Sequence, residues 1–228
     1  TLAALLDAAA GDGRNPHIDL SCPLLVVYTS GTTGRPKGAV LRQEALFWNM
    51  VNAQHMHDMT ASDHVLTCLP MFHVGGLNIQ TTPALQLGAT VTLHRRFDPG
   101  ATLAAIAGER PTLTVLVPAT MQAVIGHPDW ARTDLSSLRC LSTGSSAVPQ
   151  AVIDPFEARG VPVIQVYGST ETSPIAVYHR AEGEGRRRPG STGLPGLVTE
   201  ARVVDDRGRE LPPGEAGEIV VRGPTVLF

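Results

Sequence analysis

Lysine is almost absent from this chain. Of its eighteen lysine and arginine residues only one is lysine, Lys37. Arginine presents a planar fork of donors, whereas lysine is a compact cation on a flexible stem. A site that needs one small charge against a crowded polyphosphate can distinguish the two, which makes Lys37 the first candidate functional residue. Other scarcities narrow the function classes. Cys22, Cys68 and Cys140 are far apart and form no Cys-x-x-Cys pair. They read as reduced, mostly buried thiols of an intracellular protein. The eight histidines show no metal-ligand spacing, and the nearest candidate, His55-Met56-His57-Asp58, is not read as a metal site. No apolar run reaches the roughly 20 residues of a membrane span, and the first residues do not form a signal peptide. The expected localisation is cytoplasmic, with no integral membrane segment. A net charge of −3 gives no general reason to expect nucleic acid or an anionic membrane as partner. The only basic run, Arg186-Arg187-Arg188, lies among Gly, Glu and Pro and reads as a solvated loop. There are no internal repeats. The 43% hydrophobic content suffices for one large core, or one core and a small satellite.

The segment around Lys37 is built for an anion. An apolar, β-branched run, Leu24 to Thr29, reads as a buried strand. Thr29, Ser30, Thr32 and Thr33 then bring four hydroxyls, and Gly31 and Gly34 let backbone N–H groups approach a ligand closely. Successive N–H groups of this kind form anion-binding concavities. The pattern is not the Walker loop, which runs Gly-x-x-x-x-Gly-Lys-Ser/Thr into a helix; here Pro36 precedes the lysine and Gly38 follows it. The same composition also suits a polar hairpin loop between two strands.

From Leu24 onward, strand-like runs alternate with helical patterns. The predicted strands are Leu24–Thr29, Val65–Leu69, Thr90–Leu93, Leu113–Val117, Leu138–Ser142 and Val163–Tyr167. The predicted helices lie near Gln43–His57, Gly76–Leu87, Gly100–Glu109, Ala119–Ile125 and Pro149–Arg159. This alternation predicts an α/β fold, a flavodoxin-like, mostly parallel sheet with helices on both faces. Ligands then sit beyond the carboxyl ends of the strands, in loops beginning at Thr29, Pro70, Pro118, Thr143 and Gly168. After about Gly185, Pro and Gly become frequent. Short strands, Ala201–Asp205 and Glu218–Arg222, flank the turn Asp206-Arg207-Gly208-Arg209. The predicted organisation is a leading helix and linker over 1–20, an α/β unit over 21–188, and the start of a small β-barrel-like unit over 189–228.

Three of the loops carry further chemistry. In Gln165-Val166-Tyr167-Gly168-Ser169-Thr170-Glu171-Thr172, a strand delivers an aromatic ring, a glycine, hydroxyls and a carboxylate to one place. A carboxylate near a phosphate loop makes sense with Mg²⁺ between them, since Mg²⁺ is held by one or two carboxylates plus substrate phosphates. The segment also suits a helix start capped by Ser169 or Thr170. Gly144-Ser145-Ser146 is small and flat enough for a planar base to lie on its backbone, and equally suits a strand-to-helix loop. Pro70-Met71-Phe72-His73-Val74-Gly75-Gly76 sets one histidine on an apolar background, where a satisfied core histidine is the ordinary alternative.

Tyr28-Thr29-Ser30-Gly31-Thr32-Thr33-Gly34-Arg35-Pro36-Lys37-Gly38 resembles the phosphate-loop signature of the adenylate-forming superfamily, which includes acyl-CoA synthetases, aryl-CoA ligases, peptide-synthetase adenylation domains and luciferases. The later motifs follow in the family's order. The resemblance implies that Thr29 to Gly34 and Lys37 meet the phosphates of ATP, and that Gly144, Ser145 and Ser146 face the adenine. It implies that Tyr167 packs on that base, that Gln165, Gly168 and Ser169 line the nucleotide pocket, that Thr170 touches the α-phosphate, and that Glu171 binds Mg²⁺. His73 would guard the passage between nucleotide and acid. Amino-acid-activating members carry an aspartate after the aromatic; this chain has His73 there, so an amino acid is disfavoured. No arginine occurs around Val74–Gln80, Val117–Thr120 or Pro174–Val177 to pair with a second carboxylate, which disfavours dicarboxylates. The implied substrate is a fatty or aryl acid.

The implied reaction is attack of that carboxylate on the α-phosphorus of ATP, release of pyrophosphate, and transfer of the acyl group to coenzyme A. Loading of a carrier protein, or nucleotide binding without catalysis, remain the alternatives. The implied partners are the acid, ATP and coenzyme A, with a homodimer left open. The matched stretch, about Leu24 to Phe228, corresponds to the middle of a family member. The later Thr-Gly-Asp segment, the hinge and the C-terminal domain with its lysine are not in this sequence, so an excised central fragment of poor activity is expected. Leu197-Val198 departs from the family's usual Pro-Gly.

Overall fold

The computed structural model describes residues 16–30, 35–181 and 190–227. Two strands, β1 (Pro23–Thr29) and β2 (Lys37–Arg42), form an antiparallel hairpin that pairs with no other strand among the described residues. Helix α1 (Gln43–His57) follows directly. The main sheet begins with β3 (His64–Thr67), after which come the short helices α2 (Val74–Asn78) and α3 (Thr81–Leu87) and then β4 (Thr90–Leu93). Alternation continues through α4 (Pro99–Glu109), β5 (Leu113–Val115), α5 (Pro118–Ile125), β6 (Cys140–Gly144), α6 (Gln150–Glu157) and β7 (Val163–Tyr167). The order β4-β3-β5-β6-β7 is parallel throughout, and β8 (Val177–Tyr178) and β9 (Leu194–Pro195) extend it antiparallel. A separate hairpin, β10 (Glu200–Val204) with β11 (Glu218–Arg222), closes the described chain.

The five parallel strands have the flavodoxin-like order. The chain winds from β3 outward to β4, then returns to the other side of β3 as β5, so the crevice between β3 and β5 is the switch point where such sheets take ligands. Successive strand residues point to opposite faces, and the core is accordingly double. Leu66, Leu141 and Val163 pack beneath Leu103 and Ile106 of α4, Met121 and Val124 of α5, and Phe156 of α6. Val65, Leu113, Cys140 and Ile164 pack on the opposite side against Ala53 and Met56 of α1 and Ala84 of α3. Strands covered on both faces read as continuous apolar runs, which is why the sequence shows no alternation there.

Two expectations need correction. Leu24–Thr29 is not a buried strand of the parallel sheet. Val27 is buried, but Leu24, Val26 and Tyr28 are exposed on the outer face of the hairpin. An apolar run of this length does not reveal whether one face or both are covered. The helix expected over Gly76–Leu87 is two helices, with Gln80 at φ −131° between them. Pro83 is the cause: in a continuous helix its ring would clash with the Ile79 carbonyl, four residues back. The Thr81 and Thr82 hydroxyls donate to the Gly76 and Leu77 carbonyls at 2.7 and 3.0 Å, satisfying the end of α2. No helix among the described residues is long and apolar enough to cross a membrane.

Candidate active site

The carboxyl ends of β3, β6 and β7 and the start of α5 enclose a cavity of about 410 Å³. Its apolar wall includes Leu69, Ile79, Val117 and Val166; its polar wall is Ser145, Ser169, Thr170 and His73. His73 is exposed and immediately precedes α2, and its ring lies 4.6 Å from that of Phe72. None of the lining residues is Asp, Glu, Lys or Arg. The three segments singled out in the sequence as pocket neighbours, 74–80, 117–120 and 174–177, each contribute to the wall.

Backbone packing shapes this rim. A side chain on Gly168 would collide with the Pro174 carbonyl, and one on Gly144 would collide with the Val166 carbonyl. Glycine at both positions lets the two loops fold tightly onto neighbouring backbone. Thr172, in the 3-10 turn Thr170–Thr172, accepts from the Ser169 N–H at 2.9 Å. Ser169 thus stands at the N-cap of this turn, as the sequence allowed, and Ser169 and Thr170 also line the cavity. Ser145 has a left-handed backbone, φ +69°, and its Oγ would be 4.0 Å from a Cβ built on Gly75, so the loops after β3 and β6 face each other.

Of the residues proposed from sequence, His73, Ser145, Gly168, Ser169 and Thr170 meet at this one cavity. Gly144, Ser146, Gln165, Tyr167, Glu171, Thr29, Ser30 and Lys37 do not line it. Gln165 and Tyr167 lie on β7, and Gly144 pairs with Val166 across β6 and β7. Ser146 and Glu171 are exposed. Lys37 is also exposed; it opens β2 opposite Thr29, the last residue of β1. The Cα atoms of β2 come within 8 Å of the turn Thr170–Thr172, bringing the hairpin alongside the cavity's polar side. The antiparallel pairing of β1 with β2 makes the connection between Thr29 and Lys37 a hairpin, the second of the two forms the sequence allowed. Gly31, Thr32, Thr33 and Gly34 lie outside the described residues, as does Arg186-Arg187-Arg188. Among the described residues no group of three or more His, Cys, Asp or Glu side chains could hold a metal ion.

Beneath the cavity, helix and sheet are tied by polar groups whose pairing the sequence did not show. His57 is fully buried; its Nδ1 lies 2.7 Å from the Ala53 carbonyl and its Nε2 2.7 Å from Ser142 Oγ. Burial depresses its pKa to about 4, so the ring is neutral near pH 7. The other sequence signal at this place, the His55-Met56-His57 run, resolves differently: His55 Nδ1 lies 2.8 Å from the Tyr178 hydroxyl, which accepts from the Leu197 N–H at 3.1 Å. A proline at position 197 could not donate that bond, which gives the Leu197 departure a structural use.

The strand order and the cavity at its switch point define a doubly wound α/β domain with a ligand crevice at the carboxyl ends of its strands. The chain belongs to the AMP-binding enzyme family, whose pattern it matches over residues 4–227. It is 53% identical over 226 residues to the indoleacetate–CoA ligase of Aromatoleum aromaticum, covering 98% of this chain and 44% of that protein. It is 42% identical over 226 residues to a feruloyl-CoA synthase of Amycolatopsis sp, covering 99% and 46%. Among solved structures it resembles ATP-bound MatB from Rhodopseudomonas palustris with a TM-score of 0.90 at 28% identity, covering 99% of this chain and 44% of that one. It also resembles the N-terminal domain of FACL13 from Mycobacterium tuberculosis, with a TM-score of 0.88 at 30% identity, covering 99% and 56%. The chain thus spans less than half the length of these curated relatives.

Proposed function

We propose that this chain is the acid- and ATP-binding part of an AMP-forming acid–CoA ligase, and that the acid is an aromatic or fatty monocarboxylate. The observation that carries this reading is the cavity at the switch point. It combines an apolar wall, fit for a ring or alkyl chain, with a polar rim of His73, Ser145, Ser169 and Thr170. The carboxylate faces that rim while the apolar part of the acid fills the space between Leu69, Ile79 and Val117. Among the described residues no lining cation pairs with a second carboxylate, and no lining carboxylate with an ammonium. The similarity to ligases named for indoleacetate and ferulate supports an aromatic acid.

In the proposed reaction the acid's carboxylate oxygen attacks the α-phosphorus of ATP, the bond to the β-phosphate breaks, and pyrophosphate leaves with the electron pair. Such chemistry rests on positioning and on neutralising charge. Lys37 and the hydroxyls of Thr29, Ser30, Thr32 and Thr33 hold the departing phosphates; Thr170 donates to the α-phosphate; His73 separates acid from nucleotide. Tyr167 lies against the base, with Gln165, Gly168, Ser169, Gly144, Ser145 and Ser146 around it. Glu171 is a single exposed carboxylate, which fits a Mg²⁺ held mainly by substrate phosphates rather than by a protein cage; bound there, the ion would neutralise charge on the leaving pyrophosphate. The thiol of coenzyme A then attacks the acyl carbon, the acyl–phosphate bond breaks and AMP leaves, which completes the proposed sequence.

The test is carboxylate-dependent ATP–pyrophosphate exchange by the parent protein with aryl, fatty, malonic and amino acids, beside Lys37→Ala and Glu171→Ala. Exchange with aryl or fatty acids, reduced in both variants, is expected. Exchange confined to malonate or an amino acid would overturn the substrate reading. Tight MgATP binding without any exchange would favour a binding module.

A further inference from the structure

Behind the cavity lies a second, much smaller one, of about 10 Å³, whose lining includes Thr67, Leu69, Gly76, Gln80 and Thr81. Leu69 and Gly76 line both. Gln80 and Thr67 are buried, at 1% and 5% exposure.

The hydrogen bonds around this small space have determined directions. The Ala53 carbonyl can only accept, so His57 Nδ1 carries the proton of the neutral ring, and Nε2 is an acceptor. Ser142 must then donate its hydroxyl proton to His57 Nε2. Gln80 Nε2 donates to Ser142 Oγ at 3.2 Å and to the Thr114 carbonyl at 3.3 Å. Thr114's carbonyl fixes the amide orientation, because a flipped Gln80 would set two acceptors against each other. The chain therefore ends at Gln80 Oε1, a buried acceptor that no donor among the described residues reaches. A second chain ends in the same way. Thr81 donates its hydroxyl proton to the Gly76 carbonyl at 2.7 Å. Thr67, 2.7 Å from Thr81 Oγ1, must donate to it, which leaves Thr67 Oγ1 with acceptor lone pairs only.

Gln80 and Thr67, each with a side-chain acceptor whose neighbours' protons are already committed, thus line one space. A ligand here must donate twice and be no larger than one water sphere, about 10–15 Å³. We propose that this is a binding site for a single structural water, which donates one O–H to Gln80 Oε1 and the other to Thr67 Oγ1. A buried acceptor left unmet carries a desolvation penalty that such a water removes. An ammonium ion could also donate, and a small metal cation could take lone pairs from both oxygens, but burying an unpaired charge is far less favourable. The water stands directly behind Leu69 and Gly76 and so forms part of the rear wall of the larger cavity.

The test is a crystal structure of this chain that shows its ordered waters, together with thermal unfolding of Thr67→Val, Gln80→Met and the double variant. One water within about 2.6–3.2 Å of both oxygens is expected. The double variant should lose less in Tm than the sum of the single losses, since the second substitution removes a bridge already broken. A water touching only one of the two oxygens, or strictly additive losses, would overturn the proposal. If a variant fails to fold, the crystal structure of the unsubstituted chain decides the matter alone.

Discussion

Asp63 and Arg139 are joined at the amino ends of the parallel strands, opposite the cavity: Arg139 Nη2 lies 3.0 Å from each carboxylate oxygen of Asp63, and Nε lies 3.1 Å from one of them. Asp63 precedes β3, Arg139 precedes β6, and the Thr112 hydroxyl, just before β5, donates to the same carboxylate at 2.7 Å. The pair therefore ties three strands together. Asp63 is only 4% exposed, so removing its partner leaves a buried carboxylate unmatched. Arg139→Ala should destabilise the fold by about 3 kcal/mol, read as a lower urea midpoint. A change below half of that would show the pair to be better solvated than its burial implies.

His57 makes stability depend on pH. Its folded pKa is held near 4 against an ordinary value of 6.5. Between these values the unfolded chain binds the proton and the folded chain does not. The contribution is complete above pH 6.5 and is lost as pH falls toward 4, amounting to about 3 kcal/mol in all. Urea midpoints measured from pH 7.5 to 4.5 should fall more steeply for the parent chain than for His57→Gln. Parallel curves would mean that His57 takes up its proton in the folded state.

Leu69 stands between the two cavities. Leu69→Ala should join them and deepen the space open to the acid. In the parent enzyme, on the proposed function, the ratio of kcat/KM for an acid one or two carbons longer to that for the preferred acid should rise by about tenfold. An unchanged ratio would place the end of the acid elsewhere.

Thiol reactivity should separate the cysteines. Cys22 is partly exposed, whereas burial raises the Cys68 thiol to about 11. Because the thiolate is the reactive form, an alkylating reagent at pH 7.5 should modify Cys22 first and Cys68 only on unfolding. Peptide mapping of the labelled chain reads this directly, and early labelling of Cys68 would contradict its burial.

The parallel strands and most helices were legible because each is a local pattern. Gln43–His57 carries its helix within its own sequence, and the loops after β3, β6 and β7 could be located from the alternation alone. The position of β1 was not legible. Its apolar residues fit a central strand equally well, and β2, which begins at Lys37, was hidden in what read as loop. The break before Thr81 could have been read from Pro83. The motifs singled out His73, Ser145, Ser169 and Thr170, and these four line one cavity. They did not single out Gln80, Ser142 or His57, whose meaning arises from contacts 34 to 85 residues apart in the chain. A buried amide acquires its role only from what surrounds it, and no short pattern records that.

The hairpin that presents Lys37 shares no ladder with the main sheet. Its apolar attachment is a small cluster in which Val27 and Leu41 meet Val74, while Tyr28 remains 69% exposed. A unit anchored so lightly opens to solvent at a lower free energy than the strands beneath it. Amide hydrogens of β1 and β2 should therefore exchange well before those of β5 and β6, so the arm that carries the lysine can loosen while the floor of the cavity keeps its shape.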